Sequence, residues 1–172
     1  MKAYLDTVET PAGPLTFALN GEGALIRSHF EESDDHSDIE DGLRAAGYEC
    51  FVQDSGRTAR LRGEISEYCA GERREFTVPL AASGTEWQKE VWAALTRIPF
   101  GETRSYAEIA DTIGRPGAAR AVGGANARNQ LPLVVPCHRV ISADGSLGGF
   151  NGGLHLKQRL LEHERQATLQ EP

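Results

Sequence analysis

Apolar residues near the N-terminus come in short clusters: Tyr4, Thr7 and Val8, then Leu15 to Leu19, then Ala24 to His29. Pro11, Gly13-Pro14 and Asn20-Gly21 punctuate them, so residues 2–30 read as strands of a small antiparallel sheet. Asn20-Gly21 resembles a hairpin turn, because both residues tolerate positive φ cheaply. Glu31 to Asp41 is acidic and nearly devoid of apolar residues, which predicts a solvated loop or the start of a helix, its charges merely surface. The period then lengthens. Ile39, Leu43 and Ala46 recur at helical spacing, Tyr48 to Val52 after Gly47 reads as a short strand, and Leu61 to Ala70 reads as an amphipathic helix ended by Gly71. Phe76 to Leu80 is an edge strand or linker.

The second half reads as mostly helical. Ser83 or Thr85 caps a helix from Glu86 to about Arg97, with Trp87, Val91, Trp92 and Leu95 on one face. Ser105 caps Tyr106 to Ile113, with Glu108 at the capping-box position. Gly114-Arg115-Pro116 forms a tight corner, and a third helix runs from Gly117 to about Arg128. Two helices around a three-residue corner make a helix-turn-helix pattern, which packed helices in any core also produce. Gly123 and Gly124 inside the third helix each cost about 1 kcal/mol relative to alanine. Such a loss is accepted where something approaches the backbone closely: the strand before Cys137 on one face, DNA on the other. Leu131 to Val135, an aliphatic run bounded by Pro136, reads as a buried strand, and Leu154 to Arg165 as a closing helix with Leu156, Leu160 and Leu161 on its apolar face, its tail frayed.

Length and composition change this picture little, but charge does. The 172 residues suffice for one large domain or two small ones. The net charge of -7 argues against nucleic acid until it is divided: residues 1–80 carry -8 and residues 81–172 carry +1. Between Thr112 and Arg139 stand Arg115, Arg120, Arg128 and Arg139 with no acid, a local basic strip. Cys50, Cys69 and Cys137 are odd in number and form no CxxC pair, so neither a disulfide framework nor a zinc knuckle is indicated, and reduced thiols fit a cytoplasmic compartment; Cys50 and Cys69 read as core rather than ligands. No segment resembles a signal peptide or membrane span.

Chemistry concentrates in Pro136-Cys137-His138-Arg139-Val140. A cysteine is a useful nucleophile only as its thiolate, and an adjacent imidazole and guanidinium lower a thiol's pKa. A buried structural cysteine beside a satisfied histidine is the alternative.

This segment after its aliphatic run resembles the active-site signature of the O6-alkylguanine-DNA alkyltransferases, the methylated-DNA–protein-cysteine methyltransferases, and the likeness extends from about Ser83 to Glu164. It implies an α/β chain: an N-terminal ribonuclease H-like sheet-and-helix domain over residues 1–80, and a mostly helical domain over residues 81–172 holding a helix-turn-helix. Cys137 would take the alkyl group, His138 and Glu164 would relay its proton through water, and Tyr106 would donate to the base. Arg120 matches the family's finger that replaces the extruded nucleotide, with Ala119, Ala121, Gly123, Gly124, Arg128 and Arg139 on the DNA surface. Asn129 ties the turn to the cysteine segment, with Gln130 where the family usually has proline. Asn126, Val140, Phe150, Asn151 and Gly152 would complete the guanine pocket, using the carbonyls of Cys137 and Val140. The resemblance implies no metal or cofactor, and double-stranded DNA containing O6-alkylguanine as partner of a cytoplasmic monomer, with cooperative binding and activity on O4-alkylthymine open. Three rivals stand beside it: a damage sensor lacking the cysteine chemistry, a helix-turn-helix transcription regulator, and a cysteine hydrolase.

Overall fold

The computed structural model describes residues 1–150 and 152–171. Four strands, β1 (Lys2–Thr10), β2 (Gly13–Leu19), β3 (Leu25–Phe30) and β4 (Cys50–Gln53), lie in the order β3-β2-β1-β4. The sheet is mixed: β1–β2 and β2–β3 are antiparallel, but β4 runs parallel to β1 because helix α1 (Ile39–Ala45) carries the chain across first. The β2–β3 connection is not a two-residue hairpin. Positive φ falls at Gly23, not Gly21, and Asn20 Oδ1 accepts from the Glu22 and Ala24 amides, 3.0 Å each.

Helix α2 spans Ser55–Cys69, starting before the predicted Leu61 because its first turns are polar and carry no apolar period. Asp54 caps it through the Gly56 and Arg57 amides, while Leu61, Ile65 and Tyr68 are buried. Cys50 is exposed and Cys69 half-buried, so neither belongs to the deep core.

The linker after α2 is laid along the outer edge of β3. The Leu25 amide donates to Pro79 O (2.7 Å) and the Ala81 amide to Leu25 O (2.8 Å). Further along the same edge, Ser28 donates from its amide to Gln130 O and from its hydroxyl to Pro132 O, both at 3.0 Å. The segment that leads to Cys137 is thereby stitched to the sheet.

Helices α3 (Glu86–Leu95) and α4 (Tyr106–Thr112) begin with complete capping boxes, Thr85 with Gln88 and Ser105 with Glu108. Helix α5 spans Ala119–Ala127, so the connection from α4 covers residues 113–118 and is longer than the predicted corner. The final helix, α6 (Leu154–Leu169), outruns Arg165: Thr168 donates to Glu164 O (2.8 Å), and Glu171 beyond it pairs with Arg74. Its inward face is Leu156, Lys157, Leu160 and Glu164, with Leu161 only half-buried.

The aliphatic run is a turn, not a strand. Pro132 and Pro136 remove two amide donors, Leu133 adopts φ 77°, and the Val135 amide closes back on Leu131 O at 2.9 Å. Leu131, Leu133, Val134 and Val135 are all buried, so the run had no period by which strand and turn differ. One continuous core joins Phe17 and Leu15 through Ile65 and Tyr68 to Trp92, Leu95, Cys137 and Leu160. Among the described residues no helix is long and apolar enough to cross a membrane.

Candidate active site

Cys137, His138 and Arg139 form one 3₁₀ turn, followed by the short strand β6 (Val140–Ile141). Strand β6 pairs in parallel with β5 (Arg104–Ser105), and α4 starts at once after β5, so Tyr106 is delivered next to the cysteine turn. Asn129 braces the approach from the other side. Its Nδ2 donates to Val135 O (2.9 Å) and its Oδ1 accepts from the Leu131 amide (3.0 Å), and its side chain also favours the thiolate of Cys137.

His138 is 0 % exposed, and its Nε2 lies 3.1 and 3.2 Å from the two oxygens of Glu164, itself 1 % exposed. An ionised carboxylate only accepts, so Nε2 carries the proton and Nδ1 holds a lone pair. That Nδ1 is buried with no partner among the described residues. Burial pushes the imidazole below its ordinary 6.5, with Glu164 opposing and Arg139 and Lys157 reinforcing the shift, so at neutral pH it is the uncharged form that can take a proton.

Glu164 is shared. Arg139 Nε donates to it at 2.7 Å, and Arg139 Nη1 donates to Ile98 O at 2.8 Å. Burial alone would raise the Glu164 carboxyl, but His138 and Arg139 outweigh it and hold the group below the ordinary glutamate value. Cys137 is 5 % exposed, and burial raises its thiol above the ordinary 9.0 against the pull of Asn129 and Lys157. The resting sulfur is therefore protonated, and its activation requires a base at the moment of reaction.

Cys137 forms part of the wall of a cavity of about 570 Å³, together with Tyr106, Gly123, Asn126, Asn129 and Phe150. Burial raises the Tyr106 phenol, which keeps it a donor; its hydroxyl stands 3.4 Å from Gly149 O. Gly148 has φ +68°, and a Cβ there would stand 3.0 Å from that hydroxyl, so the loop fits only as glycine. The far wall comes from the N-terminal half, including Arg27, His29 and Asp35. The acidic stretch is thus not merely solvated surface: Ser33 is buried, and the Asp34 amide donates to Gly152 O at 3.1 Å.

Helix α5 is held from behind by two indoles, Trp87 donating to Ala121 O (3.2 Å) and Trp92 to Ala125 O (2.8 Å). Arg120 and Ala121 are exposed, as is Arg128 at its C-cap, with Ala119 half-buried. Neither glycine is demanded by internal packing: a Cβ on Gly123 would meet the Tyr106 ring at 3.7 Å and one on Gly124 the Arg128 guanidinium at 3.5 Å, both ordinary contacts. The close internal packing predicted for them is absent.

The model of the 6-O-methylguanine DNA methyltransferase DNA-binding domain matches residues 86–166. A methylated-DNA–protein-cysteine methyltransferase of Mycobacterium tuberculosis is 44 % identical over 163 residues, covering 92 % of this chain and 90 % of the relative. The chain belongs to the methylated-DNA–protein-cysteine methyltransferase family. The constitutive methyltransferase of Bacillus subtilis is 42 % identical, with 94 % of this chain and 95 % of that one covered. The crystal structure of Mycobacterium tuberculosis OGT in complex with DNA superposes with a TM-score of 0.82 at 42 % identity, over 97 % of this chain and 94 % of that one.

Within this methyltransferase the structure brings Cys137, His138, Glu164 and Tyr106 together, and Asn126, Asn129, Phe150 and Gly152 line the same cavity. Asn151 lies outside the described residues. Arg139 is corrected: it is 5 % exposed, spent on Glu164 and Ile98 O, and stacked over Phe100 at 5.8 Å, so it cannot meet a phosphate. The exposed strip is Arg115, Arg120 and Arg128.

Sequence reasoning missed Lys157. This lysine is 0 % exposed, its Nζ donating to Val140 O and to Gly149 O (3.1 Å), and burial lowers it to about 8. The available signal was its place between Leu156 and Leu160, on the apolar face of α6, where a charge needs a reason.

Proposed function

We propose that this methyltransferase repairs O6-alkylguanine in double-stranded DNA by moving the alkyl group irreversibly to Cys137. The observation that carries the reading is a buried thiol on a cavity wall, one residue from an imidazole whose Nε2 is locked on Glu164 and whose Nδ1 is an unused acceptor. The thiol proton passes through a water to His138 Nδ1, and Glu164 steadies the imidazolium. Sulfur then attacks the saturated carbon in line; the S–C bond forms as the C–O bond breaks, and the electron pair goes to guanine, which Tyr106 assists by donating to its ring. The thioether product has no good leaving group, so each molecule reacts once.

The O6 atom is stacked inside the duplex, so the nucleotide must be extruded, at a few kcal/mol. Helices α4 and α5 serve as the helix-turn-helix, and Arg120 fills the vacated space. Its exposure among small residues and the glycines that internal packing leaves unexplained support this role. Residues 1–80 form the supporting ribonuclease H-like domain and residues 81–172 the reacting domain; the strand order β3-β2-β1-β4 supports the first assignment. The protein acts as a cytoplasmic monomer without a metal or cofactor.

Incubation with duplex DNA carrying a radiolabelled O6-methyl group tests the reading. Stoichiometric label on the protein, abolished in Cys137→Ala, is the expected result; damage-specific binding with no transfer marks a sensor, and repeated turnover marks a hydrolase. Arg120→Ala should weaken duplex repair roughly tenfold more than reaction with free O6-benzylguanine, since only the duplex requires extrusion. Equal losses on the two substrates contradict the finger role.

A further inference from the structure

A cation without a partner lines the far end of the cavity. Arg27, on β3, is half-buried, and its side chain makes no hydrogen bond or ion pair among the described residues. Two acids of α1 are already taken, Glu40 and Asp41 pairing with Arg44. Asp35, the one acid in the cavity wall among the described residues, favours the Arg27 charge without reaching ion-pair distance. The guanidinium is nevertheless given a seat. It lies against the backbone of α1 at Gly42, where a Cβ would overlap Cζ, Nε and Nη2. Gly42 has no positive φ to explain it, and a glycine inside a helix costs about 1 kcal/mol relative to alanine. Room for Arg27 is what that glycine supplies.

The N–H donors of the Arg27 fork are thus held unspent beside a cavity that also takes Arg128 from the other half of the chain. Arg128 is exposed and gives one nitrogen to Gly124 O at 3.3 Å, which leaves the rest of its own fork free. A planar, partly desolvated guanidinium matches the oxygens of a phosphate bidentately. Residues 1–80 carry -8, so one cation seated among them serves a local contact and not a general attraction. We infer that Arg27, together with Arg128, holds a phosphate group, and that this group is a phosphodiester of the strand carrying the damage. The inference rests on the alkyl-transfer reading and gives the supporting half a share in binding DNA.

Binding of an O6-methylguanine duplex across a range of salt concentrations, followed by fluorescence anisotropy, decides it. Arg27→Met should weaken binding roughly tenfold and flatten the slope of log K against log salt by about one. Gly42→Ala keeps the charge but pushes the guanidinium off its seat. It should weaken binding at least about threefold while the urea midpoint holds or rises, alanine being the better helix former. Methylphosphonates placed one at a time around the damage should cost the wild type at a position where Arg27→Met loses nothing further. Inorganic phosphate separates the sources: a thermal midpoint raised in the wild type but not in Arg27→Met, with equal duplex binding, assigns the site to a free phosphate and overturns the DNA contact. Affinity and salt slope unchanged in both variants overturn the inference, and so does an equal loss on free O6-benzylguanine, which carries no phosphate. Label that still reaches Cys137 in the variants leaves the alkyl-transfer reading standing, whereas no label on wild-type Cys137 defeats that reading whatever the binding shows.

Discussion

Glu164→Ala is expected to lower the folding free energy by about 3–5 kcal/mol and to bring alkyl transfer close to background. The carboxylate is the shared partner of two buried groups, His138 Nε2 and Arg139 Nε, and neither can turn to solvent. Its loss strands the Arg139 guanidinium with only Ile98 O and the face of Phe100. It also frees the histidine to adopt the other tautomer, in which Nδ1 no longer accepts. Glu164→Gln separates the two effects. A glutamine keeps the volume and one acceptor, so the stability loss should be smaller, but it cannot balance an imidazolium, so transfer should fall nearly as far. Urea denaturation and single-turnover assays check both; a Glu164→Ala protein within about 1 kcal/mol of wild type by linear extrapolation to zero denaturant would contradict the account.

The rate of methyl transfer should form a plateau bounded below by His138 and above by Lys157. His138 is pushed under 6.5 by burial, and only its neutral form accepts a proton, so activity is lost as pH falls through that lowered value. Lys157 titrates at about 8, and the charge that both Cys137 and His138 feel is present below that pH and vanishes above it. The thiol, raised above 9.0 by burial, is still protonated when the ammonium is already neutral. Between those two titrations sulfur has lost its counter-charge without gaining its own, and the rate should drop. Lys157→Met should remove the alkaline limb and lower the plateau at least about tenfold, the worth of roughly one pKa unit on the thiol. A wild-type rate that climbs steadily through pH 8 to 9 would show that free thiolate formation, not the lysine charge, controls the reaction.

How much of this was legible beforehand depends on the range of the interaction that decides each feature. The capping boxes at Thr85 and Ser105 are local, and both helices start where the sequence places them. The Cys137-His138 pair is adjacent in sequence, so its chemistry could be read directly. The turn at Leu131 to Val135 could not, because a run apolar on every side has no period, and two prolines settled it against a strand. The first turns of α2 were hidden for the opposite reason, being polar on every side. Glu164 was placed by resemblance alone; from the residues it reads as a carboxylate at an exposed helix end. It is buried because α6 continues to Leu169 and packs its inner face on the cysteine turn. Arg139 and Lys157 follow the same logic: each is charged and each is buried, and only tertiary packing identifies a cation as interior.

The stitching of β3 has an effect on solubility. A sheet border with free amides and carbonyls invites a neighbouring molecule to add a strand. Here residues 79–81 close one end of that border, and the hinge at Gln130 and Pro132 guards the other. A fragment cut after residue 80 would keep Pro79 on Leu25 but bare the stretch at Ser28 that Gln130 and Pro132 cover, and would tend to polymerise, while the remainder would lose the anchor that keeps its reactive turn in register. The second half thus shields the first from strand addition, and the first holds the reactive turn of the second in place.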